Sequence, residues 1–498
     1  MRLSRTGIGG LITMAVIAAC VPTVLAEDIP PTPIPQSGTS ARRFVGSPAK
    51  SHRLRSFRVP PHPYMAGNGR SNIHNDAYMT DNYRSSGPLG KRMRVRSTFQ
   101  SAECASVSFD SKGRIVTICV GLEGPKLVLM DPKTLATKAT MPLPPRSSSG
   151  TGTTPFNDFA GGGYFYLDHR DRAVIPTNTR QIWIVRHRRV QGTFEFEIVR
   201  QYNLVQEVDP NEGIVSALPD WSGRIWFVTT KGYVGSIGTR SGKVKGLRLN
   251  NEVIANSFAV DETGGVFIVS DRALYRFEAR RNNKPTIVWR KRYDRGERLK
   301  PGQVSMGSGT TPTLIGRNYV AITDNADPRM HVVVFRRTTK AGGRKVCAEP
   351  VFGRRRGATD NSLVAVGRSL IVENNYGYEG PGATSGGKST APGIAKVRFS
   401  RAGRCQTIWV NGSRAPSVVP KVSLETGLVY TYTKRPRADG EDPWYFSAIS
   451  YRTGKTVYRR LAGEGLGFNN NYAPVTLGSG GRAYVGAVGG LVQLRDTR

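Results

Sequence analysis

The chain has 498 residues, 38% of them hydrophobic, with 57 glycines and 31 prolines. That mixture suits many short strands and tight turns. It excludes a largely helical protein, because no long segment carries a 3.6-residue apolar period. The formal charge is +36, from 72 basic and 36 acidic residues; the basic residues are dispersed, and with no nucleic-acid-binding motif among them, specific nucleic-acid recognition is excluded.

The N-terminus has the three parts of a secretory signal. Arg2 and Arg5 supply the charged start, residues 11–19 an apolar core, and Val24-Leu25-Ala26 a small-residue cleavage site. Residues 1–26 are therefore expected to be removed and the protein to be periplasmic or extracellular. A competing cut precedes Cys20 in Ile17-Ala18-Ala19-Cys20, a lipobox pattern that would make Cys20 a lipid anchor. After processing, no stretch reaches the ~20 apolar residues of a spanning helix. Residues 27–60 are rich in Pro, Ser and Arg and read as an extended or mobile tether. Residues 61–91 differ. They are dense in Asn, His, Asp and Tyr, and are expected to lie ordered across one face of the following domain or over its centre.

From residue 92 the chain repeats one pattern: a short apolar stretch, a tight polar turn, and a second apolar stretch. Ala105-Ser106-Val107-Ser108-Phe109-Asp110-Ser111-Lys112-Gly113-Arg114-Ile115-Val116-Thr117 is one copy, and residues 257–269 are another. Further turns fall near Asp168, Asp220, Ile315, Gly367, Glu425 and Ser479, so turns recur roughly every 40–60 residues, the period of a radial β-repeat. Residues 92–100 read as one isolated strand, and the last repeat supplies three strands. The first strand is expected to complete the final blade and close the ring. The fold class expected for residues 92–498 is an all-β, eight-bladed β-propeller. Seven blades is the alternative if the region of residues 151–205 is miscounted.

Ala448-Ile449-Ser450-Tyr451-Arg452-Thr453-Gly454-Lys455-Thr456-Val457-Tyr458 resembles the repeat of quinoprotein-like (PQQ-repeat) β-propellers, with Tyr458 at the Trp place. Residues 236–243 are a fainter copy, and residues 481–494 are similar to the closing strands of that superfamily. The resemblance covers residues 92–496 as architecture and implies the fold. The quinone-dependent dehydrogenases of the superfamily commonly carry an adjacent Cys–Cys pair, some with CxxCH haem attachment. This chain has neither, so pyrroloquinoline quinone is not expected as a cofactor.

Four cysteines besides Cys20, an even number in an exported protein, point to two disulfides. Cys104 and Cys119 flank one hairpin turn, and Cys347 and Cys405 lie at the outer ends of successive repeats.

Strand starts and loop ends facing the channel carry acids and amides: Asp158, Asn256, Asp324, Asn325, Asp327, Asp360, Asn361, Glu373, Asn374, Asn375 and the run 469–471 that includes Asn470. Asp324, Asp327, Asp360, Asn374, Asn375 and Asn470 are the candidate ligand-binding residues. Asn256, Asn325, Asn361 and Glu373 offer the oxygen donors that Ca²⁺ prefers. This resembles, in ligand chemistry only, the central ion of gluconolactonase- and paraoxonase-like propellers. The competing reading is that these side chains cap strand ends and turns. His74 is a candidate general base oriented by Asp76, against an ordinary hydrogen-bonded turn. There is no G-x-S-x-G elbow and no defensible Ser-His-Asp order. The first functional reading is a module that binds a small ligand or a protein partner, with an anionic cell-surface polymer as a further possible partner. A Ca²⁺-assisted hydrolase or lactonase at the central mouth is the second, and a quinone-dependent oxidoreductase the third.

Overall fold

The computed structural model describes residues 29–146 and 160–497. The expected signal segment, Cys20 and Asp158 lie outside the described residues. Eight antiparallel sheets follow one another along the chain as the blades of a propeller. The inner strands, in chain order, are Ala102–Phe109, Tyr166–Leu167, Ile214–Pro219, Ala259–Val260, Thr313–Ile315, Val364–Val366, Lys421–Ser423 and Val475–Gly478. We number the blades 1 to 8 in that order. Each of the eight polar turns read in the sequence joins the first strand of a blade to its second.

The turns are built the same way several times. Asp110 accepts the backbone N–H groups of Lys112 and Arg114 on one carboxylate oxygen, and the Arg114 guanidinium on the other at 2.6 Å. Asp168 with Arg172 and Asp220 with Arg224 repeat the device. In blade 4 the position of that arginine is Gly265. Arg337 arrives from blade 5 to pair Asp261 instead, itself buried and bonded to the Tyr78 hydroxyl. Gly113, Gly223 and Gly264 take φ of 78°, 83° and 84° in these turns, where a side chain would be strained.

We label three strands outside the repeats: β1 (Phe44–Gly46), β2 (Asn82–Tyr83) and β3 (Arg94–Phe99). Strand β3 pairs antiparallel with Gly490–Arg495, from Arg94 opposite Arg495 to Phe99 opposite Gly490. The start of the wheel thus supplies the outer strand of its last blade, which removes an open edge. Cys104 and Cys119 are cross-strand neighbours within blade 1 and are bonded. Cys347 and Cys405 join the outer strands of blades 5 and 6.

Residues 29–91 travel around the wheel rather than away from it. Ile29 bridges Thr137 on the rim of blade 1, and Thr32 accepts the Phe99 N–H at blade 8. Strand β1 then adds to the outer strand of blade 7. The chain crosses the turn face next: His52 and Leu54 bond blade 7, Ser56 blade 6, and His62 packs against Trp221 of blade 3 with ring centroids 4.0 Å apart. Pro and Ser suit this path because its backbone donors meet single loop carbonyls and need no regular ladder.

Residues 65–83 then enter the hub. The N–H groups of Phe109, Leu167, Val260, Leu314, Ala365, Val422 and Leu424 donate to Arg70, Ser71, Ala77, Tyr78, Thr80, Asp81 and Tyr83. These donors lie on the inner strands, within a residue of the turn that follows or just inside it, so the segment plugs the channel from the turn face. β2 lies parallel to the inner strand of blade 7. Met65, Ala77, Tyr78 and Met79 merge with the apolar core of blades 2 to 5, and Tyr83 with that of blades 6 to 8. Burying each large side chain is worth roughly 1.5–3 kcal/mol. That offsets left-handed backbone at Asn75, Met79 and Asp81, where φ is 62°, 56° and 57° and the cost is about 1–3 kcal/mol each.

Candidate functional site

Above the plug, where the inner strands begin, the hub keeps a cavity of about 50 Å³. Its floor is Ile73 and His74 of the plug. Its walls include Glu103 of blade 1, Tyr164 before blade 2, Asp360 and Ser362 before blade 6, and Asn471 before blade 8. Ala105, Val120 and Val419 add an apolar side.

Carboxyl groups collect here beside the guanidinium of Arg146, and burial sets their chemistry. Burial pushes Glu103 up to about 8, against a hydrogen bond from Asn471 and the charge of Arg146. Burial likewise pushes Asp360 up to about 7, against the Val304 N–H that bonds it. Glu373 is held well above the usual carboxylate range by burial, although Asn361 and Asn375 donate to it. Tyr164 is raised by burial and by the nearby charges of Asp360 and Asp81, which keeps its hydroxyl protonated.

His74 is held from both sides. Its Nδ1 lies 3.1 Å from each carboxylate oxygen of Asp81, and its Nε2 lies 3.4 Å from Ser362 Oγ. Its ring stacks on Tyr164, with centroids 6.3 Å apart. Asp81 is fully buried and also pairs Lys421, whose ammonium donates in turn to the Ile73 carbonyl at 2.7 Å. Burial pushes the Asp81 carboxyl up, and Lys421 and His74 together outweigh it, so the group sits below its ordinary value.

The structure therefore gives His74 a different partner from the one expected. Asp76 turns into its own loop, accepting the N–H groups of Tyr78 and Thr80 and the Thr80 hydroxyl. Burial pushes it up to about 7, against those bonds. Asp81, five residues on, reaches the imidazole because its left-handed backbone and Lys421 aim it there.

Among the candidate ligand-binding residues, Asp360 lines the cavity. Asp324 holds the His331 ring at 2.8 Å, and Asp327 pairs Lys300 and Arg298. Asn374 bonds the carbonyls of Arg356 and Pro392 and the Ala358 N–H. Asn375 accepts from Thr359 and the Asp360 N–H, and Asn470 bonds Ser417 and the Ala473 carbonyl. These three amides fasten the loops around the cavity.

Of the four residues expected around Ca²⁺, two meet. Asn361 Nδ2 is surrounded by Glu373 Oε1, Asn375 Oδ1 and the carbonyls of Ser417 and Val418. Asn325 bonds the carbonyls of Arg295 and Arg298, while Asn256 accepts from Tyr164 and donates to Ser308. Asn361 Oδ1 and Glu373 Oε2 are buried with no hydrogen-bond partner. Among the described residues, no group of three or more His, Cys, Asp or Glu is arranged to hold a metal. Glu103, Asp81, Ser362 and Lys421 escaped the sequence reading. Asp81 lay within the polar stretch that supplied His74, and Ser362 directly follows Asp360 and Asn361.

No family model matches the chain. An uncharacterized protein of Archaeoglobus fulgidus is 28% identical over 322 residues, covering 58% of this chain and 62% of that protein. The chain thus spans less than two thirds of that relative's length. Solved structures of similar shape include a streptogramin B lyase, with TM-score 0.40, 10% identity and coverage of 84% of this chain and 99% of that one. The WD40 domain of Toxoplasma gondii coronin gives a TM-score of 0.41 at 10% identity, covering 83% and 89% of the two chains. That of SCAP from fission yeast gives 0.42 at 10% identity, covering 81% and 98%. No residue role is carried over from any of them.

Proposed function

We propose that this protein is an exported, quinoprotein-like β-propeller whose hub cavity binds a small ligand bearing hydrogen-bond donors or a positive charge. One observation carries the reading: Glu103, buried, and Asp360, half-buried, stand on the wall of a cavity whose other end the chain itself has sealed. Buried acids of raised pKa at a cavity are stabilised by a ligand that donates to them. Two disulfides and the signal pattern of residues 1–26 support export.

Ethanolamine is a suitable probe, with four non-hydrogen atoms, an ammonium and a hydroxyl. At about 100 times its Kd it stabilises the protein by ~2.7 kcal/mol, seen as a rise in Tm. Glu103→Gln with Asp360→Asn removes that rise. A wild-type Tm indifferent to ethanolamine, or an equal response in the double variant, refutes the reading.

A second contact is favoured by the rim between blades 5 and 6. Arg317, Arg336, Arg368, Arg398, Arg401 and Arg404 line two adjoining clefts of about 290 and 680 Å³, and no acidic residue lines either. Arg368 Nε is buried there without a hydrogen-bond partner. We propose that this groove takes an acidic polysaccharide. Retention on immobilised alginate should fall with salt, and Arg398→Ala/Arg401→Ala/Arg404→Ala should elute at lower salt than the wild type. Identical elution of the two proteins refutes the assignment.

A further inference from the structure

We propose that Ser362, His74 and Asp81 form a hydrolytic triad in the hub, acting on esters of a short acyl group such as acetyl. The proposal rests on the reading of the hub cavity as the binding site and adds a reaction to it. Three side chains from distant parts of the chain stand in line: carboxylate to Nδ1 at 3.1 Å, and Nε2 to hydroxyl at 3.4 Å. Ser362 is 5% exposed, His74 3% and Asp81 0%, so the line is shielded from bulk water. The plug supplies the base and the group that orients it; the ring supplies the hydroxyl, 288 residues away from the histidine. Ser362 and His74 both line the cavity, so a reacting carbonyl placed there faces both.

The roles follow from the geometry. Ser362 Oγ attacks the acyl carbon while His74 Nε2 takes the hydroxyl proton. The C–O bond to the alcohol then breaks, and the alcohol leaves with that proton. Water attacks the acyl-serine, giving a proton to His74; the ester bond to Ser362 breaks, and the carboxylic acid and the free serine are restored. Asp81 is a positioning residue. It faces the Nδ1 edge of the ring, which leaves Nε2 as the acceptor toward Ser362, and Lys421 fixes the carboxylate from its far side. Ala105, Val120, Ile73 and Val419 offer an apolar lodging for a methyl group, and a cavity of about 50 Å³ favours a short acyl chain.

A structural fastener would make the same contacts, so the test reads chemistry. Methanesulfonyl fluoride should label the full-length protein once, with the adduct mapped to Ser362 by peptide mass spectrometry. Ser362→Ala and His74→Gln should lose the label and lower p-nitrophenyl acetate hydrolysis by about 10³-fold or more, with Tm close to wild type in Ser362→Ala. Asp81→Asn/Lys421→Met, which removes both buried charges together, should lower kcat with KM unchanged. A fastening role would leave kcat proportional to the folded fraction. An unlabelled wild type, a label elsewhere, or hydrolysis undiminished in Ser362→Ala overturns the triad. Where ethanolamine still stabilises that protein, the binding reading survives the loss of the triad; a labelled Ser362 in a protein that ignores ethanolamine supports the triad and rejects the charge preference alone.

Discussion

Lys421→Met tests whether the plug is held by one buried ion pair. Lys421 and Asp81 have side chains with no exposed surface, and the ammonium has two acceptors, the Asp81 carboxylate and the Ile73 carbonyl. Methionine keeps most of the length of lysine and loses the charge. It leaves Asp81 as a buried anion facing His74 and a carbonyl that has lost its donor. Breaking a buried pair by removing one partner costs ~3–5 kcal/mol. The orphaned carbonyl adds about 1–3 kcal/mol if no water replaces the ammonium. Asp81→Asn/Lys421→Met removes the unpaired charge and should recover most of the first term. The assay is urea unfolding of the single and double variants, with hydrogen exchange followed over residues 71–83. Lys421→Met within ~1 kcal/mol of wild type, or a double variant no more stable than the single, would refute the idea that this pair secures the plug.

Two further outcomes are expected. Asp76 and Asp360 have folded values raised to about 7 and Glu103 to about 8, so their stabilising contribution is complete below the unfolded values near 4 and is lost as pH rises to 7–8, at on the order of 1 kcal/mol per unit per group. Asp81, depressed by Lys421 and His74, works the other way, contributing above an unfolded value of 3.8 and failing as pH drops below it. Tm should therefore peak in mild acid and decline toward pH 8, with Asp360→Asn flattening the decline; a profile rising steadily from pH 5 to pH 8 contradicts these assignments. Cys347→Ser/Cys405→Ser opens a loop of 58 residues and should cost ~2–4 kcal/mol, with hydrogen exchange rising first on the outer strands of blades 5 and 6; an unchanged Tm would contradict this.

The wheel was legible because its grammar is local. Asp110, Asp168, Asp220 and Asp261 each fold a turn within five residues, and a glycine or left-handed residue marks the spot. Closure was legible because residues 94–99 alternate in pattern ahead of the first full repeat, while the last repeat supplies three strands and lacks a fourth. The belt of residues 29–60 was not legible as structure, since apart from the three-residue strand β1 its bonds are scattered contacts with blades 1, 8, 7 and 6 that impose no period. The partner of His74 was hidden for a related reason. Asp76 and Asp81 lie two and seven residues from it, and only the φ of 57° at Asp81 and the arrival of Lys421 from blade 7 decide between them. Asn374, Asn375 and Asn470 look like a ligand set because amides that fasten loop carbonyls and amides that bind ligands are the same residue types.

The site also has a place in the order of assembly. His74 and Asp81 precede all eight inner strands, yet Ser362 lies just before blade 6 and Lys421 in blade 7, 288 and 340 residues later. The plug contacts blades on every side of the hub, so it must already be inside when β3 meets the last blade and the ring closes. Contacts at such separations form late, because their loop-closure cost precedes their reward. Until then His74 has neither its carboxylate held by Lys421 nor the hydroxyl of Ser362, and the buried acids around the cavity are still in water at ordinary pKa. The chemistry of the hub is thus a property of the closed wheel alone, and any change that loosens closure, such as loss of the β3 pairing, should remove the geometry at His74 before it unfolds a single blade.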